Sequence, residues 1–111
     1  MENYIFYILI ALGLVYYFYN SNQKSKLAME KINNGAVVID VRTPDEFNSG
    51  NYKNSINIPL NTINSKIEEI KSYEEEIVVV CASGNRSGQA KDILKGFGIE
   101  VTNGGSWVNL K

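Results

Sequence analysis

The sequence predicts an α/β domain with a central, mainly parallel β-sheet flanked by helices, preceded by one transmembrane helix. Two observations carry this prediction. Apolar, β-branched runs alternate with stretches of helical periodicity over about 85 residues, which is typical of a parallel sheet with helical crossovers. Before them stands an uncharged run of apolar and aromatic residues. The 111 residues leave room for one domain, so we expect the anchor and its polar flank at residues 1–23 and the domain at residues 24–111.

The N-terminal run at residues 4–19 reads YIFYILIALGLVYYFY, and no charge occurs between Glu2 and Lys24. At ~1.5 Å per residue it spans about 24 Å, and its polar flanks extend it towards the ~30 Å of a bilayer core. Tyrosines at both ends suit the two membrane–water interfaces. A cleaved signal peptide and a buried helix of the domain are the alternatives. The missing positive N-terminal charge and Ala-x-Ala site disfavour the first, and the apolar character of every face disfavours the second.

The charges that flank this run predict its orientation. Lys24, Lys26 and Lys31 follow it, whereas the segment before it carries only Glu2. Positive residues favour the cytoplasmic side of a membrane. We therefore expect a single-pass membrane protein whose domain faces the cytoplasm and whose residues 4–19 contact the lipid bilayer.

The first half of the domain contains one clear strand and one clear helix start. AVVIDV at residues 36–41 is a β-branched run typical of a buried central strand. After it, Thr43 at the N-cap, Pro44 at the first helical position and Glu46 at the third form a capping box for a short helix that ends near Gly50. The preceding residues predict a polar linker at 20–25 and a short helix from Leu27 that stops at Asn34-Gly35.

The second half continues the alternation of strands and helices. We predict a short strand at residues 55–60, a helix at 61–72, a second buried strand at 76–81, a helix at 87–97, a third strand at 99–102 and a glycine-broken tail at 103–111.

Composition excludes several classes of function. Eleven Lys and Arg balance twelve Asp and Glu for a net charge of −1, so we expect no nucleic-acid binding, which needs a basic stripe. The chain has no histidine and a single cysteine, Cys81. Catalysis by a Ser-His-Asp or Cys-His arrangement is therefore excluded, and we expect neither a metal site nor a cofactor.

The segment VVVCASGNRSGQ carries the strongest chemical signal. A strand leads into Cys81, followed by a loop of small residues, Arg86 and a helix. Ligands of open α/β sheets bind beyond the carboxyl ends of the strands. Inward-turned backbone N–H groups and a helix N-terminus would stabilise a thiolate, which is the nucleophilic form of cysteine. The alternative is that Cys81 is an inert buried residue, the loop an ordinary turn and Arg86 an exposed residue at a helix start.

The same segment, CASGNRSGQA, resembles the active-site loop of the rhodanese-like domain. Three further stretches resemble that family in the expected order, namely VVIDVRTPDEF at 37–47, GNYKNSINIPL at 50–60 and GIEVTNGGSW at 98–107. The resemblance covers about residues 30–110. It departs from the family at Asn51, Lys53 and Asn54, where histidine, proline and glycine are usual.

The resemblance implies a sulfurtransferase. Cys81 would take a sulfane sulfur from a donor such as thiosulfate, hold it as a persulfide and pass it to a thiol or cyanide. With no second cysteine in the sequence, the acceptor would be external. Arg86 would neutralise the anionic donor, and Asp40 and Arg42 would support the sheet beside the loop. The persulfide would be cradled by the loop N–H groups of Ala82, Ser83, Gly84, Asn85, Arg86 and Ser87.

Two alternatives stand beside this interpretation. One is a non-catalytic docking module tethered to the membrane, against which the presence of both Cys81 and Arg86 argues. The other is a cysteine phosphatase on the same fold. The loop from Cys81 through Arg86 has six residues, one fewer than in the phosphatase relatives, which favours a single sulfur atom over a tetrahedral phosphate.

Overall fold

The computed structural model describes residues 2–111 and contains one four-stranded parallel sheet with the strand order β2-β1-β3-β4. This arrangement confirms the predicted α/β class. In chain order the elements are α1 (Glu2–Asn33), β1 (Val37–Asp40), α2 (Pro44–Ser49), β2 (Ile56–Asn57), a 3-10 helix (Leu60–Lys66), α3 (Ile67–Lys71), β3 (Ile77–Cys81), α4 (Asn85–Gly96), β4 (Thr102–Ser106) and a 3-10 turn (Trp107–Asn109).

Helices cover both faces of the sheet. All five residues of β3 are buried, as predicted for a central strand, and successive side chains point to opposite faces. Val78 and Val80 pack with Ala28 of α1. Val79 and Cys81 face the other way, into a cluster that includes buried residues of α3 and α4. The cysteine is therefore on the α4 side of the sheet.

Helix α1 is continuous from Glu2 to Asn33. The predicted linker at residues 20–25 is wrong, because these residues continue the helix. The Ser25 hydroxyl bonds within it, donating to the Ser21 carbonyl one turn back (3.1 Å). The predicted stop is confirmed, since the helix is followed by Gly35 at φ +98°.

The two parts of α1 differ in their surroundings. Every large apolar side chain between Tyr4 and Tyr19 is at least 46% exposed, whereas Ala28 near the other end is fully buried against the sheet. The helix Asn3–Asn33 is long and apolar enough to cross a membrane, although a signal sequence meets the same criterion. Its exposed portion does not belong to the core of the domain.

Helix α2 begins with the predicted capping box. The Glu46 N–H donates to the Thr43 hydroxyl, and the Glu46 carboxylate accepts from the Thr43 N–H, each at 3.3 Å. Further on, the predicted helix at 61–72 is split into a 3-10 helix and α3. The Thr62 and Ser65 hydroxyls donate to carbonyls three residues back, which favours the tighter 3-10 winding.

The last strand lies later than predicted. Residues 99–101 connect α4 to the sheet, and β4 is formed by Thr102–Ser106, within the segment predicted to be mostly a tail. Its glycines are required by packing. A Cβ at Gly104 would lie 2.8 Å from a Val78 methyl group, and Gly105 has φ +76° at a β-bulge where the pairing register shifts. Close approach and a bulge therefore explain glycines that resemble a loop in the sequence.

Candidate active site

The loop between β3 and α4 is very short. Strand β3 ends at Cys81 and α4 begins at Asn85, so three residues make the connection. The last of them, Gly84, has φ +97°, and a Cβ there would lie 3.2 Å from the Gly105 Cα atom. Glycine adopts this backbone conformation without steric strain, because it has no Cβ atom. It turns the Gly84 N–H back towards the cysteine.

The Cys81 sulfur is fully buried and surrounded by donors. The Gly84 N–H donates to Sγ at 2.9 Å, the Ser87 N–H donates at 3.4 Å, and the Ser87 hydroxyl lies 3.4 Å from Sγ. Burial raises the pKa of the thiol. Polar contacts with Ser87 and with the backbone of Ser83 and Gly84 lower it by more, so that the pKa falls below its usual value. The surroundings therefore favour the thiolate.

Two of the loop residues expected to cradle a persulfide contact the Cys81 sulfur. Gly84 and Ser87 reach the sulfur through their N–H groups, and the Ser83 backbone also lowers the thiol pKa. Within residues 2–111 as described, the side chains of Ala82 and Asn85 are exposed.

Arg86 is held by a residue that the sequence analysis treated only as a helix cap. Its guanidinium donates to both carboxylate oxygens of Glu46, at 2.6 and 2.9 Å. These hydrogen bonds lower the pKa of Glu46 to about 2 and raise that of Arg86 above its usual range. The nearby Cys81 charge also raises the Arg86 pKa. The ion pair joins α2 to the start of α4 and places a cation near the sulfur.

Asp40 and Arg42 form a second, buried ion pair at 2.7 Å. Arg42 also donates to the backbone carbonyls of Glu46 (3.2 Å) and Gly50 (2.6 Å), and its guanidinium lies 4.7 Å from the Trp107 ring centroid. These contacts tie both ends of α2 and the C-terminal turn to the end of β1. Arg42 is 5% exposed, and its polar atoms are directed at the protein.

Asn103 connects the active-site loop to β4. Its side-chain oxygen accepts from the Ser87 hydroxyl (2.7 Å) and from the Gly105 N–H (2.9 Å), and its amide donates to the Gly84 carbonyl (3.3 Å). Asn103 was not predicted as a site residue, because the segment around it resembles a glycine-broken tail in the sequence. Glu46 was missed as a partner of Arg86 because the two residues are 40 positions apart, although the capping box did place it on α2.

The departures from the family pattern lie on the connection between α2 and β2. Asn54 has φ +64°, the left-handed conformation that glycine would adopt without strain. Asparagine tolerates this conformation better than most residues. Asn51 donates from its side chain to the Phe47 carbonyl at the end of α2 (2.9 Å). The substitutions are therefore compatible with the fold. Across the part of the chain that the structure describes, no cluster of three or more potential metal ligands occurs.

Comparison with protein families matches residues 24–107 to the rhodanese-like domain. The chain therefore belongs to the rhodanese-like family, a family of sulfurtransferase homologues.

Relatives in this family include enzymes and a solved structure. Thiosulfate sulfurtransferase PspE of Escherichia coli is 36% identical over 61 residues, and the match covers 54% of this chain and 59% of that protein. Thiosulfate sulfurtransferase GlpE of Pseudomonas syringae is 38% identical over 64 residues, with 58% of this chain and 59% of that protein covered. A solved "rhodanese with anions from E. coli" is 32% identical, with a TM-score of 0.61, and covers 68% of this chain and 91% of that chain. The chain spans about three fifths of the length of the two curated relatives.

Proposed function

We propose that the protein is a sulfurtransferase that carries a sulfane sulfur on Cys81. One observation carries the proposal: the sulfur lies at the carboxyl end of a buried strand, with the Gly84 N–H 2.9 Å away and Ser87 beside it. Such donors stabilise the thiolate and also the negative charge of a persulfide. The names of the related thiosulfate sulfurtransferases support the same activity.

The reaction has two displacement steps. In the first, the Cys81 thiolate attacks the outer sulfur of thiosulfate, a new S–S bond forms, and sulfite leaves with the electron pair of the broken S–S bond. In the second, an acceptor thiolate or cyanide attacks the outer sulfur of the Cys81 persulfide. Cys81 then leaves as a thiolate, ready for another cycle. Neither step needs an external oxidant. The hydrogen bonds around Cys81 favour its thiolate, so the proposed reaction uses no histidine base.

Arg86 and Glu46 act together in this proposal. Arginine has five N–H donors, and the two recorded contacts with Glu46 leave others free to bind the sulfonate end of the donor. Glu46 fixes the orientation of the guanidinium. The buried Asp40–Arg42 pair supports the end of the sheet from behind, without contact with substrate.

We also propose that α1 is retained as a membrane anchor with the domain in the cytoplasm. The exposure of its apolar residues on every face and the three lysines after residue 19 support this assignment. The full-length chain should then remain with membranes through a carbonate wash. Protease added to intact cells should leave the domain uncut. Release of the chain by carbonate would contradict the membrane anchor. Digestion of the domain in unbroken cells would show that the domain lies on the outer side of the membrane.

Mass spectrometry of the intact protein tests the activity directly. After incubation with thiosulfate and removal of excess donor, the wild-type protein should gain one sulfur atom, and cyanide should remove it as thiocyanate. Cys81→Ser should gain none, because a serine hydroxyl is a far weaker nucleophile at neutral pH. Circular dichroism of the variant serves as a control for folding. A wild-type protein that stays unmodified would instead favour a non-catalytic docking module.

A further inference from the structure

The candidate site lies at the end of the sheet that is directed towards the N-terminal half of α1. Helix α1 ends at Asn33, and β1 begins four residues later. Lys31, in the last turn of α1, pairs with Glu76 just before β3 (3.4 Å). The C-terminal end of α1 therefore lies at the amino ends of the strands, and the strands run in the direction opposite to α1. All strands run parallel. Their carboxyl ends therefore point back along α1, towards the segment proposed to enter the bilayer.

A surface groove shows which part of α1 lies beside the active-site loop. The groove has a volume of about 550 Å³ and is lined by Lys24 and Leu27 of α1 together with Gly84 and Asn85 of the active-site loop. Lys24 and Leu27 lie five and eight residues beyond Tyr19, or ~7.5–12 Å along a helix. The headgroup layer extends roughly 5–8 Å beyond the hydrocarbon core. Because α1 has no break, the loop would be held just outside the headgroups when α1 crosses the bilayer along its normal.

The shape and chemistry of the groove suit an extended peptide. It is lined by Thr102 and Asn103 of β4, which is an edge strand of the sheet, and by residues of α1 and α4. Extended peptides bind by adding a strand to such an edge. Apart from Leu27 the groove is lined by glycine, polar and charged residues, so a polar segment fits it better than an apolar one.

We propose that the physiological acceptor is a cysteine in an extended segment that lies just outside the transmembrane helix of a membrane protein, bound in this groove. This proposal rests on the sulfurtransferase activity and the anchor proposed above. A partner helix beside α1 would leave the bilayer at the groove, whereas a folded soluble protein has little space between the loop and the membrane. The acceptor thiolate attacks the outer persulfide sulfur, its new S–S bond forms, and Cys81 leaves as a thiolate.

The test uses the full-length protein in liposomes, charged with thiosulfate and mixed with synthetic single-span peptides of one cysteine each. One peptide carries the cysteine six residues beyond its apolar span, and the other carries it twenty residues beyond in the same Gly/Ser segment. Mass spectrometry follows sulfur transfer. We expect transfer to the near cysteine to be about ten-fold or more faster, since the fixed geometry raises its effective concentration at the site.

Variants separate the groove from the chemistry. Gln89 of α4 also lines the groove. Gln89→Trp should therefore fill the groove and slow transfer to the near peptide, with transfer to cyanide unchanged. Lys95→Trp, at a position of α4 outside this groove, is the matched control. A flexible ten-residue insertion after Gln23 should abolish the preference for the near cysteine.

Four outcomes would overturn the proposal, and they identify which part of it fails. Equal rates for the two peptides, or an unchanged preference in Gln89→Trp, would refute the groove while leaving the activity intact. Failure of Cys81 to gain sulfur would remove the sulfurtransferase on which the proposal depends. Failure of the protein to stay with the liposomes would remove the anchor.

Discussion

Replacing Gly84 by alanine should damage both the stability of the domain and the reactivity of its cysteine. An alanine at φ +97° costs about 1–2 kcal/mol. Its Cβ would also lie 3.2 Å from the Gly105 Cα atom, and overpacking of this kind adds roughly 1–3 kcal/mol. We expect a total loss of about 2–5 kcal/mol. For a domain of this size that corresponds to a fall in Tm of roughly 8–40 °C.

The chemical effect follows from the same shift of the backbone. The Gly84 N–H, now 2.9 Å from Sγ, would move away from the sulfur. A hydrogen bond to a charged group contributes about 1.5–3 kcal/mol, so its loss should raise the pKa of Cys81. Alkylation at pH 7 should then slow about ten-fold or more, because a smaller fraction of the thiol is ionised.

Two assays on the full-length protein in detergent check these expectations. Thermal unfolding by circular dichroism gives the Tm, and iodoacetamide alkylation against pH gives the pKa, without ambiguity because Cys81 is the only cysteine in the sequence. Gly96→Ala is the matched control, since a Cβ there meets nothing within 4 Å. It should keep the Tm or raise it slightly. A Gly84→Ala protein with wild-type Tm and alkylation profile would refute the roles assigned to the loop geometry.

Further predictions concern the charges and the packing around the loop. Arg86→Ala should raise the KM for thiosulfate about ten-fold, which is the low end for a charge-assisted contact because the arginine is a third exposed. If Glu46 acts by positioning Arg86, then Glu46→Gln should also raise this KM, and the KM of the double variant should be no higher than that of Arg86→Ala. Because the pKa of Cys81 is lowered, the wild-type thiol should stay reactive at pH values below ~8.5, the pKa of free cysteine. Its reactivity should be lost as the pH falls through the pKa of Cys81 in the folded protein, and an alkylation midpoint at or above pH ~8.5 would contradict this. The Glu46 carboxylate has its pKa lowered from 4.5 to about 2, so its contribution to stability should be complete above pH 4.5 and disappear as the pH falls towards 2, which acid unfolding of wild type and Glu46→Gln can compare. Gly104→Ala should lower the Tm by separating α1 from the sheet, and an unchanged Tm would show that the contact with Val78 yields without cost.

The parts of the fold that were predictable are those in which local chemistry and burial agree. The β-branched run at 76–81 is a buried strand, and the Thr43 capping box starts a helix, because these signals depend on near neighbours in sequence. The same holds for the position of Cys81 at a strand end before a short loop. Sequence spacing alone was enough to place it at the carboxyl edge of a parallel sheet.

The errors occur where a distant residue decides the local structure. The glycines of β4 resemble a loop in sequence, but Gly104 is there because Val78, Val80 and Ala28 approach it closely. Likewise the contact between Glu46 and Arg86 depends on how α2 and α4 meet across the sheet. Polar residues 20–25 resemble a linker, but they are helical because both neighbouring segments are.

The unbroken course of α1 has a further consequence for how the domain is aimed around the helix axis. Each residue of an α-helix turns the chain by ~100° and advances it by ~1.5 Å. One residue inserted between positions 20 and 26 would therefore swing the whole domain about 100° around its anchor, with almost no change in height. Seven inserted residues would return it to within ~20° of its starting bearing but ~10 Å farther out. The number of inserted residues thus sets the rotation of the domain about the α1 axis and its distance from the membrane in different combinations. Sulfur transfer measured over a series of insertions would show which of the two matters to the protein.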